Sequence, residues 1–213
     1  MKRLFVVLMA FLVVAAPVAQ SNTWTTVSEQ VRKSILQVQI TGGGACTGFV
    51  INDKAKGGKE KDQDVDYILT AAHCDGQLLY AAQRPATIRA KDVQKDLMVI
   101  EVEDLDRPAI RLAKSDPKAG DEVASFGYGY GLEEPMFRVA NVANDKIYIP
   151  FDGVGGPLIA INATFVPGQS GGPVVNHDGE LVMVVQRGTP IVGFGVGADT
   201  IRDKVGRFFG SRP

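Results

Sequence analysis

Three side chains of this sequence could together activate an alcohol for attack on a carbonyl: Ser170, His73 and Asp96. Ser170 lies in Val166-Pro167-Gly168-Gln169-Ser170-Gly171-Gly172-Pro173, where glycines let the backbone turn sharply and admit close neighbours. Such a turn can aim the amides of Gly168 and Ser170 into one small space beside the hydroxyl, as an oxyanion hole requires. A glycine-rich hairpin turn is the plainer account of the same residues. A serine hydroxyl is a weak nucleophile without a base, so the chemical reading needs partners elsewhere in the chain.

The chain has only 2 histidines. His73 follows the apolar run Val65 to Leu69, which reads as a buried strand, whereas His177 sits in Asn176-His177-Asp178-Gly179, which reads as an exposed turn. A base must be held by packing, and His73 is the better placed. Asp96 stands at the mouth of the apolar run Leu97-Met98-Val99-Ile100, where a carboxylate can be buried against an imidazole. Asp92, Asp104 and Asp106 lie in more polar surroundings and read as solvated loop charges.

Thr70-Ala71-Ala72-His73-Cys74, then Asp96-Leu97, then Gly168-Gln169-Ser170-Gly171-Gly172-Pro173 follow the order His, Asp, Ser. In this the chain resembles the chymotrypsin-fold, trypsin-like serine peptidases. From Lys95 to Leu132 and from Ile159 to Phe209 it looks most like the bacterial high-temperature-requirement, Deg-type branch. The resemblance implies an all-β chain of two six-stranded antiparallel β-barrels with the active site between them. It implies His73, Asp96 and Ser170 as catalytic residues, Gly168 and Ser170 as oxyanion donors, protein or peptide substrates, and neither metal nor organic cofactor. Activity should then rise between about pH 6 and 8, where imidazoles titrate.

The family's layout puts the base of the first substrate pocket at Thr164, with walls from Val185 and Gln186 and from near Gly193. No carboxylate occurs from Pro157 through Ser170, so small or medium apolar side chains are the expected targets; Arg187 could favour an acidic one instead. In the digestive and clotting branches an aspartate precedes the serine and pairs with a newly cut amino terminus. Here that residue is Gln169, so no such switch is expected. Trimers are common among Deg-type relatives, but no residue in the sequence specifies an oligomer interface. A catalytically silent member that binds peptides or proteins is the rival reading from another functional class.

The elements that must position these residues are mostly short strands. The clearest are 35–40, 45–51 and 65–70, followed by 78–82, 86–90, 97–102 and 109–112. After a linker at 113–120 come 122–126, 137–142, 146–150, 158–163, 173–176, 181–186 and 191–196. Short strands between turn signals argue for a sandwich or barrel, and the resemblance selects barrels spanning about 34–112 and about 120–198. Thr26-Val27-Ser28-Glu29 reads as a capping box for a short first helix running to about Ser34. Thr200 to Asp203 reads as the cap of a last helix over 200–209, whose Ile201, Val205, Phe208 and Phe209 form one stripe.

Met1-Lys2-Arg3 followed by the apolar stretch Leu4 to Ala16 reads as a signal peptide over 1–21, giving a secreted or periplasmic protein with no membrane attachment after cleavage. The peptidase domain then occupies 22–213, about 190 residues, ample for a folded core, and leaves no room for the peptide-binding domain usual in Deg-type proteases. A formal net charge of -1 gives no basic bias towards nucleic acid. In an oxidising compartment the lone cysteine pair is most simply one disulfide, Cys46 to Cys74, a pairing the family also uses. A zinc site from Cys46, Cys74, His73 and His177 is the alternative, with spacing unlike any finger or ribbon.

Overall fold

The computed structural model describes residues 23–51, 65–76, 79–103, 105–149 and 155–208. The expected signal peptide over 1–21, residues 52–64, Asp104 and Phe209 lie outside the described residues. Helix α1 (Trp24–Arg32) leads into β1 (Ile35–Ile40), β2 (Gly44–Ile51), β3 (Val65–Thr70), β4 (Leu79–Ala81), β5 (Arg84–Asp92) and β6 (Leu97–Glu103). These strands close into a barrel in the order β1-β2-β3-β6-β5-β4. A second barrel, β10-β11-β12-β9-β8-β7, is built from β7 (Glu122–Gly127), β8 (Met136–Ile147), β9 (Leu158–Ile161), β10 (Pro173–Val175), β11 (Leu181–Gly188) and β12 (Gly193–Gly197). Helix α2 (Ala198–Phe208) closes the described chain.

The apolar pattern explains three separate cores. In β6, Met98, Ile100 and Val102 point into the first barrel with Leu36, Val38 and Ile68. The alternate residues Leu97 and Val99 face the other way and join Phe49, Phe126, Val175 and Val184 in a cluster drawn from both barrels. A strand buried on both faces reads as an unbroken apolar run rather than an alternation. The second barrel is filled by residues such as Val123, Ile161, Val174 and Met183. Asp96 therefore stands where one apolar strand leaves both the first core and the seam.

Several sequence boundaries shift for local reasons. The expected strand at 109–112 is a crossing segment: Ile110 bridges Ile51 of the first barrel and Leu112 bridges Leu181 of the second, so no ladder grows. The expected break between 137–142 and 146–150 is absent, because β8 runs through it with irregular register around Asn144. Turn-forming residues here make bulges, not a turn. Helix α1 is capped by Thr23, whose hydroxyl accepts from the Thr26 amide at 3.4 Å, rather than by Thr26 itself. Helix α2 starts at Ala198 rather than at a Thr200 cap, and its Asp199 amide donates to Asp116 Oδ1 at 2.8 Å. Burial, chiefly, raises the Asp116 carboxyl above its ordinary value.

Cys46 of β2 and Cys74, just after β3, form a disulfide with a sequence separation of 28. On the chain-entropy account, closing such a loop stabilises the fold by about 3 to 4 kcal/mol. Replacing both cysteines by serine should lower the unfolding free energy by about that amount, measured by denaturant titration. A loss below about 1 kcal/mol would show that the unfolded chain is already compact there.

Candidate active site

His73 sits on a single 3-10 turn, Ala72–Cys74, pinned by the disulfide at Cys74. Its Nδ1 lies 2.8 Å from Asp96 Oδ2, and its backbone N–H donates to Asp96 Oδ1 at 2.8 Å. Both carboxylate oxygens thus serve one residue, which fixes the ring's position and its rotation. Asp96 is 5% exposed, whereas the imidazole side chain is 49% exposed and presents its other edge to a cleft.

Asp96 occupies the left-handed region at φ 50, where aspartate is tolerated better than most residues but still needs support. The 93–96 turn that carries it is held from several sides. The Lys95 amide donates to Asp92 Oδ1 at 2.9 Å, and Asp92 Oδ2 meets Lys204 Nζ of α2 at 2.8 Å. The Gly155 amide donates to the Gln94 carbonyl at 2.7 Å, and Lys95 Nζ donates to the Gly155 carbonyl. Gln186 Nε2, from β11, donates to the Lys95 carbonyl at 2.6 Å. Asp92, expected as a solvated loop charge, is therefore a largely buried strut.

Ser170 lies in the loop between β9 and β10, hung from the first barrel by Thr47 of β2. The Thr47 amide donates to the Ser170 carbonyl at 2.9 Å, and its hydroxyl donates to the Gly168 carbonyl at 2.8 Å. Gly171 is needed for this approach: a Cβ there would stand 2.4 Å from the Thr47 carbonyl oxygen. The Pro167 carbonyl accepts from the Tyr130 amide at 2.8 Å, and the Gln169 carbonyl from the Gly172 amide at 3.0 Å. In a trans peptide the N–H points opposite to the preceding carbonyl, so the Gly168 and Ser170 amides are turned away from those partners. Among the described residues, no group accepts a hydrogen bond from either amide.

His73, Asp96 and Ser170 line one cleft of about 700 Å³ between the barrels. The Ser170 hydroxyl donates to the Gln186 carbonyl at 3.2 Å rather than to the imidazole. Of the expected pocket residues, Val185 and Gln186 line this cleft, as does Arg187. Thr164 and Gly193 do not face it. The Thr164 hydroxyl donates to the Pro190 carbonyl at 2.6 Å. The Phe165 ring lies over Gly193, so close that a Cβ there would stand 2.2 Å from Phe165 Cε2. Phe165 lines the cleft beside Ser170 and Gly188. Sequence reasoning missed it, although neighbouring residues of an extended segment point to opposite sides and Phe165 is the apolar one of the pair.

His177 lies away from the cleft. Its ring packs on Trp24 at 4.0 Å between centroids, and its Nε2 is 3.1 Å from Glu122 Oε1. The Trp24 indole donates to the same oxygen at 2.5 Å and, with His177, holds the Glu122 carboxyl below its ordinary value. This cluster fastens α1 to the second barrel. Cys46, His73 and Cys74 lie near one another, but both sulfurs are bonded to each other and neither is a thiolate.

Residues 46–184 match the family model described as Trypsin-like peptidase domain. "Serine protease HTR4" of Rattus norvegicus is 27% identical over 193 residues, which are 85% of this chain and 39% of that protein. A "Probable periplasmic serine endoprotease DegP-like" of Hahella chejuensis is 32% identical over 165 residues, 71% of this chain and 30% of that protein. The chain thus spans well under half the length of these curated relatives. The active form of the Rv3671c protease from M. tuberculosis superposes with a TM-score of 0.71 at 22% identity, covering 98% of this chain and 96% of that one. The HtrA-type protease AlgW with tripeptide gives 0.74 at 16% identity, covering 88% and 64%. At these identities the likeness is one of fold.

The Asp92 strut carries a pH signature. Burial pushes its carboxyl up, but hydrogen bonds from Lys204 and from the Lys95 and Gln94 amides, with the Lys204 charge, outweigh it and hold the carboxyl below its ordinary 3.8. A depressed value contributes stability that is complete above the unfolded value and declines as pH falls towards and through the folded one. Asp92→Asn should therefore lower Tm by about 2 to 4 °C near neutral pH, the shift expected for ~1 kcal/mol. The gap to the unsubstituted protein should narrow once the pH drops below 3.8; a gap independent of pH would contradict the assignment.

Proposed function

The chain belongs to the trypsin-like peptidase family, and from that premise we propose that it is an exported serine endopeptidase of the HtrA/DegP type, with Ser170 as nucleophile, His73 as base and Asp96 as its orienting acid. The observation that carries the reading is the double grip of Asp96 on His73 at Nδ1 and at the backbone, inside the cleft that Ser170 also lines. A carboxylate on Nδ1 selects the tautomer whose Nε2 lone pair can accept a proton. The Ser170 hydroxyl leaves the Gln186 carbonyl by a change of rotamer, which is a low-cost motion for a serine.

As Ser170 Oγ bonds to the substrate carbonyl carbon, its proton passes to His73 Nε2 and the carbonyl electron pair moves onto oxygen. The Gly168 and Ser170 amides, unclaimed by acceptors among the described residues, donate to that oxyanion; each such donor is worth about 3 to 4 kcal/mol where measured. Collapse breaks the C–N bond, the imidazolium gives its proton to the leaving amine, and water repeats the sequence to release the acyl group. Export is read from Met1 to Ser21 and agrees with relatives named periplasmic. An organophosphonate should label the protein in the extracytoplasmic fraction. Ser170→Ala should lose the label and at least about a thousandfold in peptide hydrolysis while remaining folded.

The rest position of the Ser170 hydroxyl on Gln186 is the one feature that favours the silent, peptide-binding reading. Absence of labelling in a folded protein that still binds peptide would establish that reading instead.

Phe165 sets the size of the accepted side chain. Its ring lies over Gly193 and its Cβ and backbone crowd Gly188, leaving room beside Ser170 only for a small residue before the cleaved bond. Phe165→Ala should raise cleavage after leucine or phenylalanine by about tenfold or more relative to cleavage after alanine, the range set by filling apolar volume in a pocket. An unchanged profile on a peptide library would remove Phe165 from this role.

A further inference from the structure

We propose that Gln186 is a positioning residue, whose buried side-chain amide locks the Asp96 turn of the first barrel onto the strand that faces Ser170. The proposal rests on the peptidase reading above. Gln186 sits at a register shift in the pairing of β11 with β12, where Val185 opposes Gly195 and Arg187 opposes Phe194. A bulge of this kind adds one residue to a strand and re-aims its side chain. Here it turns a polar side chain, 1% exposed, out of the second barrel and towards the first.

The two ends of Gln186 touch the two halves of the proposed machinery. Its backbone carbonyl accepts from Ser170 Oγ at 3.2 Å, and its Nε2 donates to the Lys95 carbonyl at 2.6 Å. The Lys95 carbonyl belongs to the peptide that leads into Asp96. Fixing that carbonyl fixes the plane from which Asp96 departs at φ 50. The amide of the same peptide donates to the Val93 carbonyl at 3.3 Å, a longer bond. The other holds on the turn act on Gln94, on the Lys95 amide and on the Lys95 ammonium group.

The remaining atom of the side chain shows what the amide is for. Gln186 Oε1 is buried and, among the described residues, has no hydrogen-bond partner. An orphaned buried acceptor lowers stability, which an apolar side chain of similar length would avoid at that end. The amide is thus an expensive way to fill space and an effective way to hold the Lys95 carbonyl.

The test uses the full-length protein with Gln186→Met, which keeps length without the donor, and Gln186→Asn, which withdraws the amide by one methylene. For both, kcat on a cleaved peptide should fall by about tenfold or more with KM within about twofold. Melting should stay within a few degrees of the unsubstituted protein, and the low-field proton resonance of the His73–Asp96 hydrogen bond should broaden or vanish. A role confined to packing would move the melt and leave that resonance in place. If either folded variant keeps both kcat within about twofold and the resonance, the proposal is wrong; should the methionine variant not fold, the asparagine variant decides on the same criteria. Organophosphonate labelling of the unsubstituted protein separates the two readings. If it neither labels nor cleaves, the peptidase assignment fails, and the resonance alone then judges the hold of Gln186 on Asp96.

Discussion

The arrangement of the cleft depends on one buried threonine at the seam between the barrels. Thr47 belongs to the first barrel, yet its hydroxyl donates to the Gly168 carbonyl and accepts from the Tyr128 amide, both at 2.8 Å. Its own amide donates to the Ser170 carbonyl, and its carbonyl accepts from the Thr70 hydroxyl at 2.8 Å. The loop that carries Ser170 is covalently part of the second barrel but is suspended from the strand next to the one that delivers His73. Without such links, the distance between groups on different barrels would be set by apolar packing, which tolerates small slides. Hydrogen bonds shielded from water are stronger and more directional, so this residue converts a packed seam into a registered one.

The first barrel supplies the imidazole and the acid on a framework stiffened by the disulfide, while the second supplies the alcohol and the amides. Each half is then gripped by the other: Thr47 reaches across to the serine loop, and Gln186 and Lys204 reach back to the turn bearing Asp96. This reciprocity explains how Asp96 can keep a left-handed conformation. Strain of that kind persists only where surrounding contacts over-determine it, and here contacts arrive from β5, β11, α2 and the segment at Gly155.

That His73, Asp96 and Ser170 share one cleft was foreshadowed in the sequence because each combines a reactive type with a strong local signal: an apolar strand before the histidine, one after the aspartate, glycines around the serine. The strands were legible as short apolar runs, and the resemblance to a family chose barrels over a sandwich; the run at 109–112 misled, since apolarity reports burial and not pairing. Thr47 could not be found this way. It stands among small residues in Gly44-Ala45-Cys46-Thr47-Gly48, and its importance comes wholly from partners distant in the chain. Gln186 did leave a trace, a polar residue ending the apolar run Leu181 to Val185, but the trace reads equally as the end of a strand. Thr164 and Phe165 differ by one step of alternation, and only the tertiary packing over Gly193 says which of them turns inward. Asp116 caps a helix far from it in sequence, a contact to which local capping rules are blind.

The electrostatics of the cleft are decided on its far side. Three successive carbonyls in the serine loop are claimed by three different groups: Pro167 by the Tyr130 amide, Gly168 by the Thr47 hydroxyl, and Gln169 by the Gly172 amide of the loop itself. Because each peptide is rigid and trans, a carbonyl held on one side compels the following N–H to face the other. The Gly168 and Ser170 amides are therefore aimed without any residue inside the cleft pointing them. Flipping the peptide that joins Pro167 to Gly168 would surrender the bond from Tyr130 and turn an unpaired carbonyl to the side that the Gly168 amide now faces. If these amides are the proposed oxyanion donors, the preorganisation that such catalysis relies on is stored in backbone contacts outside the cleft, and the short glycine-rich turn around Tyr130 is as much a part of it as the serine.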